Sequence, residues 1–395
     1  MPRLCIPGHR HWSEHAGGVE LQTRFLGEAL RQHGWEVVYL CHSLQGKQGW
    51  EDVAGMPVYW LPLYPYGWAV PRKDVERVLE EVQPEVLYQR GWGTLQESGV
   101  ALSFALRLKI PYVFAISSDG LLRWRFPTAR TFALHRYPRW RSWLLLPYAF
   151  WSDTRLHRLF RQAPYIFVQH EQQALWLRQR YARVGLLVRT LHPEPLRSPE
   201  KHPTPLVAWV HNYRPHAQLS LALRIAVALA ERAEFHFVTG ATRREQLREL
   251  RRWRSLPETL LLHGALPVED VERLLERAWV LLHTGLYEGF PNTFVQAWLR
   301  ETPVYSLWVD PAETITRHAL GFCARGDLTL LQRELEDALS HPEDLRALGK
   351  RARQYAESYH GLRHNSYQLH RLFEGICIGL PTEELRRLWA NGYSE

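Results

Sequence analysis

The sequence predicts an α/β protein made of two doubly wound, Rossmann-like halves facing across a cleft. Three observations carry this expectation. Strand and helix patterns alternate through both halves of the 395 residues. A proline-rich break, HPEPLRSPEKHPTP from His192 to Pro205, divides them. The stretch 281–311, LLHTGLYEGFPNTFVQAWLRETPVYSLWVDP, has the strand, glycine-bearing turn and helix with which such a sheet builds a ligand site at its carboxyl edge.

Taken in order, Leu4-Cys5-Ile6 predicts a short first strand, followed by the loop PGHRHWSEHAGG. Leu21, Phe25, Ala29 and Leu30 share a face of a helix over 19–32, which Gly34 stops. Strands follow at 37–40, 86–88, 112–116, 165–168 and 186–188, with helices over 72–82, 95–108 and 172–180 between them. After the break the alternation resumes: strands at 206–210, 235–238, 260–262 and 279–282, helices over 219–229, 245–253 and 268–278. Beyond Pro311 the pattern is mostly helical. The expected layout is a first domain 1–192, a linker 193–205, a second domain 206–375, and a last segment 376–395 whose helix (382–390) returns to the first domain.

Composition narrows the class. At 46% apolar residues the chain can fill two cores, so general disorder is not expected. Cys5, Cys41, Cys323 and Cys377 lie far apart without CxxC spacing, which fits a reducing compartment. The opening MPRLCIPGHRHW turns polar before an apolar signal core forms, and no uncharged run approaches the ~20 residues of a membrane span. These features predict a cytoplasmic protein, with a peripheral place on the inner face of the membrane as an option. That option comes from residues 123–161, where arginines 123, 125, 130, 136, 139, 141, 155, 158 and 161 face one acid, Asp153, among Trp124, Trp140, Trp143 and Trp151. Such a mixture reads as a solvated helical face over a buried aromatic stripe, or as a surface for anionic lipid. A nucleic-acid face is not expected.

The chemistry concentrates after the strand that ends near Leu282. Gly285, Gly289 and Pro291 cannot continue a strand, and Asn292 is a good N-cap for a helix carrying Phe294, Ala297 and Trp298. The first amides of that helix, on Thr293 and Phe294, would point outward and suit a phosphate. Glu288 stands in the turn and Gln296 lies eight residues on, inside the helix. An ordinary strand–turn–helix with a surface glutamate is the plain alternative.

EGFPNTFVQAW resembles the nucleotide-sugar signature of family 4 retaining glycosyltransferases, in which two acidic residues stand eight apart after a strand. The second position is glutamine here, resembling a branch of that family, and an amide still hydrogen-bonds vicinal hydroxyls as donor and acceptor. HAGGVELQTRFLGEALRQHGWEVVYL, PEVLYQRGW, PYVFAISSDG, IFVQHEQQALWLRQRY and LHGALPVEDVERLLERAWVLLHTGLYEGF extend the likeness over about three quarters of the chain. The resemblance implies the two-domain B-type glycosyltransferase fold. It implies metal-independent, retaining transfer from a UDP-, GDP- or ADP-sugar to a hydroxyl acceptor (glycan, glycolipid or small molecule), with no cofactor beyond the donor substrate.

By residue, the resemblance puts Glu288 beside the transferred sugar and Gln296 on the ribose, with Gly289, Phe290, Pro291, Asn292 and Thr293 around the phosphates. Gly17 and Gly18, ahead of a helix, make a concave amide surface for an anion. Arg90 and Asp119 end strands on the acceptor side with His170, and Asp119 is the candidate base. Where the family grips the diphosphate with an arginine and a lysine, WVHNYRPHAQLSL carries Asn212 and Ala217. Arg214, His216, or Arg243 and Arg244 after Gly240, are the candidate replacements. If none serves, the chain is a degenerate transferase that binds a nucleotide sugar or a partner without turnover. No metal is expected: the sequence has no Asp-x-Asp pair and no HExxH, and His9, His11 and His15 read as a polar loop despite their zinc-like spacing.

Overall fold

The computed structural model describes the chain apart from residues 16, 63–71, 93–94, 132–138, 213–214, 241–255 and 391–395, and apart from the side chains of 9, 95–98, 131, 139–142, 215 and 390. It divides into two compact units, 1–191 with 362–395, and 192–361.

In the first unit an eight-stranded sheet has the order β3-β4-β2-β1-β5-β6-β7-β8. Its strands are β1 (Arg3–Arg10), β2 (Glu36–His42), β3 (Gly49–Val53), β4 (Met56–Leu61), β5 (Val86–Arg90), β6 (Tyr112–Ala115), β7 (Tyr165–Val168) and β8 (Leu186–Leu187). Every pairing is parallel except that of β3 with β4, a hairpin the sequence reading passed over. Its outer strand alternates half-buried with exposed positions, so it lacks the continuous apolar run of a central strand. The helices are α1 (Gly18–Gln32), α2 (Arg72–Val82), α3 (Leu95–Leu108), α4 (Gly120–Arg123), α5 (Pro127–Thr131), α6 (Arg139–Gln162) and α7 (Glu171–Tyr181). Val75, Val78, Leu79 and Val82 of α2, spaced to share one helix face, pack with Phe104 of α3 and Phe160 of α6 against Leu40, Leu87 and Phe114 of the sheet.

The second unit has a six-stranded, wholly parallel sheet in the order β11-β10-β9-β12-β13-β14. Its strands are β9 (Leu206–His211), β10 (Glu234–Thr239), β11 (Leu260–His263), β12 (Val280–His283), β13 (Val304–Ser306) and β14 (Gly321–Cys323). The period-two alternation of a strand sends Leu206 and Ala208 into one core and Val207 and Trp209 into the other. Both faces are therefore dry, as a parallel sheet requires. The helices are α8 (Leu219–Ala228), α9 (Val268–Arg277), α10 (Asn292–Trp298), α11 (Thr314–His318), α12 (Leu328–Ser340) and α13 (Pro342–His360). The helix expected over 245–253 lies outside the described residues.

Two boundaries differ from expectation. The return to the first unit begins at Leu362 rather than at 376, so α14 (Leu362–Cys377) as well as α15 (Thr382–Ala390) belongs to it. The reason is burial. Phe373 packs against Trp35, Tyr88 and Phe167 at centroid distances of 5.9, 6.0 and 6.0 Å, and Trp35 Nε1 donates to His370 Nδ1 at 3.0 Å. The segment 193–205 is extended but docked on the second unit. Lys201 Nζ donates to the carbonyls of Ala278 and Arg300 and to Thr302 Oγ1 at 2.7–2.9 Å, and Trp279 Nε1 donates to the His202 carbonyl at 2.7 Å. Its prolines keep it extended, while those contacts fix where it lies.

Candidate functional site

In the second unit the site grows from two adjacent strands. β9 and β12 pair in parallel, Leu282 opposite Trp209, so their carboxyl ends emerge side by side. His211 and His283 stand at those ends with ring centroids 4.4 Å apart. The turn after β12 is tied down from below. Thr284, fully buried, accepts from Trp209 Nε1 at 2.9 Å and donates to the Ala217 carbonyl at 2.7 Å. The Leu286 amide donates to the His216 carbonyl at 2.9 Å, and the His216 ring stacks on Tyr287 at 4.8 Å. Gly285 lies directly over the histidine pair. A Cβ there would come within 2.8 Å of His283 Cε1 and 3.1 Å of His211 Cε1, so only glycine lets the loop approach.

Glu288 follows in this turn, half-buried, and its carboxylate and the two imidazoles present ligand atoms within 4.8 Å of one another. Burial holds the His211 imidazole down to about 3, with His216 adding to the effect. His283 is pushed well below its ordinary value, again by burial first and by His211 and His216 next. Both rings are therefore neutral near neutrality.

The remaining donor-side residues are placed as follows. Gly289, Phe290 and Pro291 are buried, Phe290 packing on His360 at 4.7 Å. Gln296 is buried on α10, its carbonyl accepting from Arg300 Nη1 at 3.1 Å. Gly240 follows β10 and lies beside Asn212: a Cβ at Gly240 would stand 2.8 Å from Asn212 Oδ1. Arg214, Arg243 and Arg244 lie outside the described residues.

Two expectations need correction, and a third residue explains itself. Pro291, not Asn292, caps α10; Asn292 is its first helical residue, and its Oδ1 accepts from His192 Nε2 at 3.2 Å. The Phe294 amide is not an open phosphate donor, because it is bonded to the Pro291 carbonyl at 3.1 Å, which leaves Thr293 the less constrained of the two. Ala217 belongs to the core, so that position offers no room for a long cationic side chain.

In the first unit, a cavity of about 160 Å³ opens at the carboxyl ends of β1 and β5. Gly8, Arg10, Val19, Glu20, Arg90 and Ser117 are among its lining residues, so Arg90 and the start of α1 share one space. Gly17 caps α1, but a Cβ there would collide with the Glu20 carboxylate and lie 3.1 Å from His15 Nε2. The Gly17–Gly18 turn is thus crowded by an acidic group of its own helix, which opposes the expected anion site. Beyond it, Asp119 and His170 meet: Asp119 Oδ1 accepts from His170 Nε2 and from Gln173 Nε2, both at 2.8 Å. His11 is a core residue, enclosed by Trp12, Tyr39 and Trp60 and pushed down to about 4 by burial.

Sequence reasoning missed His211, His283 and Thr284. The signal was present, since WVH and LLH each close a strand of one parallel sheet and so bring the two histidines to the same edge.

The two Rossmann-like units are those of a two-domain glycosyltransferase. The description "Glycosyl transferase 4-like domain" matches residues 17–189, and "Glycosyl transferases group 1" matches 193–355. Together the matches take in most of the chain, and it belongs to the glycosyltransferases of the B-type fold. No curated protein sequence matches it. Solved structures share the fold at low identity. Sucrose-phosphate synthase from Thermosynechococcus elongatus superposes with a TM-score of 0.78 at 15% identity, over 95% of this chain and 99% of that one. Anabaena HepE in complex with UDP-glucose gives 0.70 at 14%, over 95% and 100%. WaaG, a glycosyltransferase of lipopolysaccharide biosynthesis, gives 0.68 at 14%, over 95% and 100%.

Proposed function

We propose that this glycosyltransferase transfers a sugar, with retention of anomeric configuration, from a nucleotide-sugar donor bound by the second unit to a hydroxyl acceptor. The observation that carries the reading is the convergence of Glu288, His216 and Thr284 on the carboxyl edge of β9 and β12, where an α/β sheet binds its ligand. In this reading Glu288 lies by the sugar and Gln296 serves the ribose. Gly289, Pro291, Thr293 and Gly240 line the phosphate path, with His216 beside it, and Arg214 remains a candidate cation from the sequence alone. The departing phosphate takes the acceptor proton, so no side-chain nucleophile and no Mg²⁺ or Mn²⁺ is needed. Arg90, His170 and Asp119 serve the acceptor side. A UDP donor is the first to test, because similar structures hold UDP-glucose or UDP.

Calorimetry against UDP-, GDP- and ADP-sugars in EDTA, followed by NMR of the anomeric proton of the product, tests the reading. Binding of one donor with an α-linked product from an α-linked donor supports it. Failure of every donor removes it, and binding without turnover leaves a degenerate transferase.

A peripheral membrane place is supported by α6. Trp143 and Leu144 are 73% and 72% exposed, and Phe150 and Trp151 stand open as well. Asp153, the one acid of the basic stretch, is buried and occupied by the Thr128 and Ala129 amides at 2.9 and 3.1 Å. The aromatic stripe expected to be buried is thus partly on the surface. No helix among the described residues is long and apolar enough to cross a membrane. Co-sedimentation with phosphatidylglycerol vesicles at low salt, lost in Trp143→Ser, is the expected result; indifference to the vesicles excludes this place.

A further inference from the structure

The histidine pair needs an explanation beyond donor binding. His283 is buried, and neither of its ring nitrogens has a hydrogen-bond partner among the described residues; His211 Nε2 is equally enclosed and equally unpartnered. A neutral imidazole always carries one N–H, and leaving it unmet in the interior costs about 1–3 kcal/mol. His283 bears that cost in either tautomer, and His211 adds a second enclosed, unmet nitrogen beside it, the two rings being walled by Trp209 and Phe294 at 5.1 and 4.9 Å. Both show Gly285 the carbon between their nitrogens, so the nitrogens flank the turn that brings in Glu288.

We propose that His211, His283 and Glu288 form a binding site for one divalent transition cation of the zinc, cobalt or nickel type, and that the ion and the donor sugar compete for Glu288. This rests on the donor reading for the competing sugar only. Two imidazole nitrogens and one carboxylate are a ligand set selective for such ions, whereas Mg²⁺ and Ca²⁺ prefer oxygen alone. Neutral imidazoles, as burial keeps these, have a lone pair to give. Ligand atoms of a tetrahedral centre stand roughly 3.4 Å apart for ~2.1 Å bonds, so three ligand atoms already within 4.8 Å of one another need only a small shift to meet one ion. A single carboxylate that ligates the ion is drawn toward the rings and no longer serves the sugar. The site is distinct from a Mg²⁺–diphosphate chelate and is compatible with transfer that proceeds without Mg²⁺.

The test is titration of the metal-free full chain with CoCl₂, read by visible absorption, and with ZnCl₂, read by calorimetry. One equivalent should bind, with Co²⁺ bands of a four- or five-coordinate centre. Glu288→Gln and His211→Asn should weaken binding by about 10–100-fold or more. Near-UV circular dichroism confirms that each variant is folded, and Glu288→Gln, in a half-exposed turn, keeps the test decisive if a histidine variant is not. UDP-sugar affinity, measured in parallel in EDTA and with one equivalent of Zn²⁺, should fall on loading. Absence of cation binding, binding unchanged by both substitutions, or tighter donor binding with the ion present would overturn the proposal. Donor binding in EDTA with no cation site would leave the transferase reading intact, and a cation site without any donor binding would do the reverse.

Discussion

Asp119 and His170, 51 residues apart in sequence, are joined by a 2.8 Å hydrogen bond from His170 Nε2 to Asp119 Oδ1. β6 and β7 are parallel neighbours, so the residues that follow their carboxyl ends meet. Gln173 adds a second donor to the same oxygen at 2.8 Å, which fixes the carboxylate. Asp119→Asn should therefore lower kcat by about 10²-fold, the loss expected when a group that holds the acceptor side in position is loosened. Donor affinity in the second unit should stay as it was. Steady-state kinetics and calorimetry check both, and an unchanged kcat would remove Asp119 from the acceptor-side machinery.

Glu288→Gln keeps the shape of the side chain and removes its charge. The expected result is a kcat reduced by about 10²–10³-fold, the size found when a group stabilising developing charge is lost. The donor Kd should rise as well, though by less than kcat falls. A proportional loss in Kd with kcat preserved would mean that Glu288 only binds.

Gly285→Ala tests the close approach of the turn to the histidines. Its Cβ would meet His283 Cε1 at 2.8 Å and His211 Cε1 at 3.1 Å, so rings or loop must shift. Overpacking of this kind costs about 1–3 kcal/mol. Thermal unfolding should show that loss together with weaker donor binding; a variant with native affinity would separate the turn from the site.

The histidine pair also sets an acid limit. In the folded chain burial holds His211 at about 3 and His283 well below 6.5, so the unfolded chain binds more protons as the pH falls below 6.5. Their contribution is present above that value and is lost toward about pH 3, at up to ~1.4 kcal/mol per pH unit for each group. The thermal midpoint of the second unit should fall from pH 6.5 to 4.5, and His211→Asn should flatten the fall. A midpoint equal at both pH values would contradict the burial of these rings.

Arg300 anchors the helix that carries Gln296. It pairs with Glu272 at 2.7 Å with 9% of its side chain exposed, and donates to the Gln296 carbonyl. Arg300→Met should cost about 3 kcal/mol, the low end for a broken buried pair, since Glu272 keeps a quarter of its side chain in solvent. Urea unfolding measures it, and a change below ~1 kcal/mol would class the pair with ordinary surface pairs.

Much of the architecture was legible in the chain itself. Apolar runs such as Val37–Leu40 and Val280–Leu282 have to be buried strands, and Gly285 and Gly289 have to end one, because these constraints act within a few residues. The edge hairpin of β3 and β4 escaped notice because its outer strand is half wet, and the return at Leu362 escaped because α13 and α14 read as one helical tract. Glu288 and Gln296 were singled out by the likeness of EGFPNTFVQAW to a family signature, whereas the pairing of Asp119 with His170 and of His211 with His283 left no such trace. Local sequence determines that a strand ends in histidine. Only the order in which strands stand side by side, set by helices packing on both faces of the sheet, decided that β9 and β12 are neighbours and that two histidines 72 positions apart stand with ring centroids 4.4 Å apart.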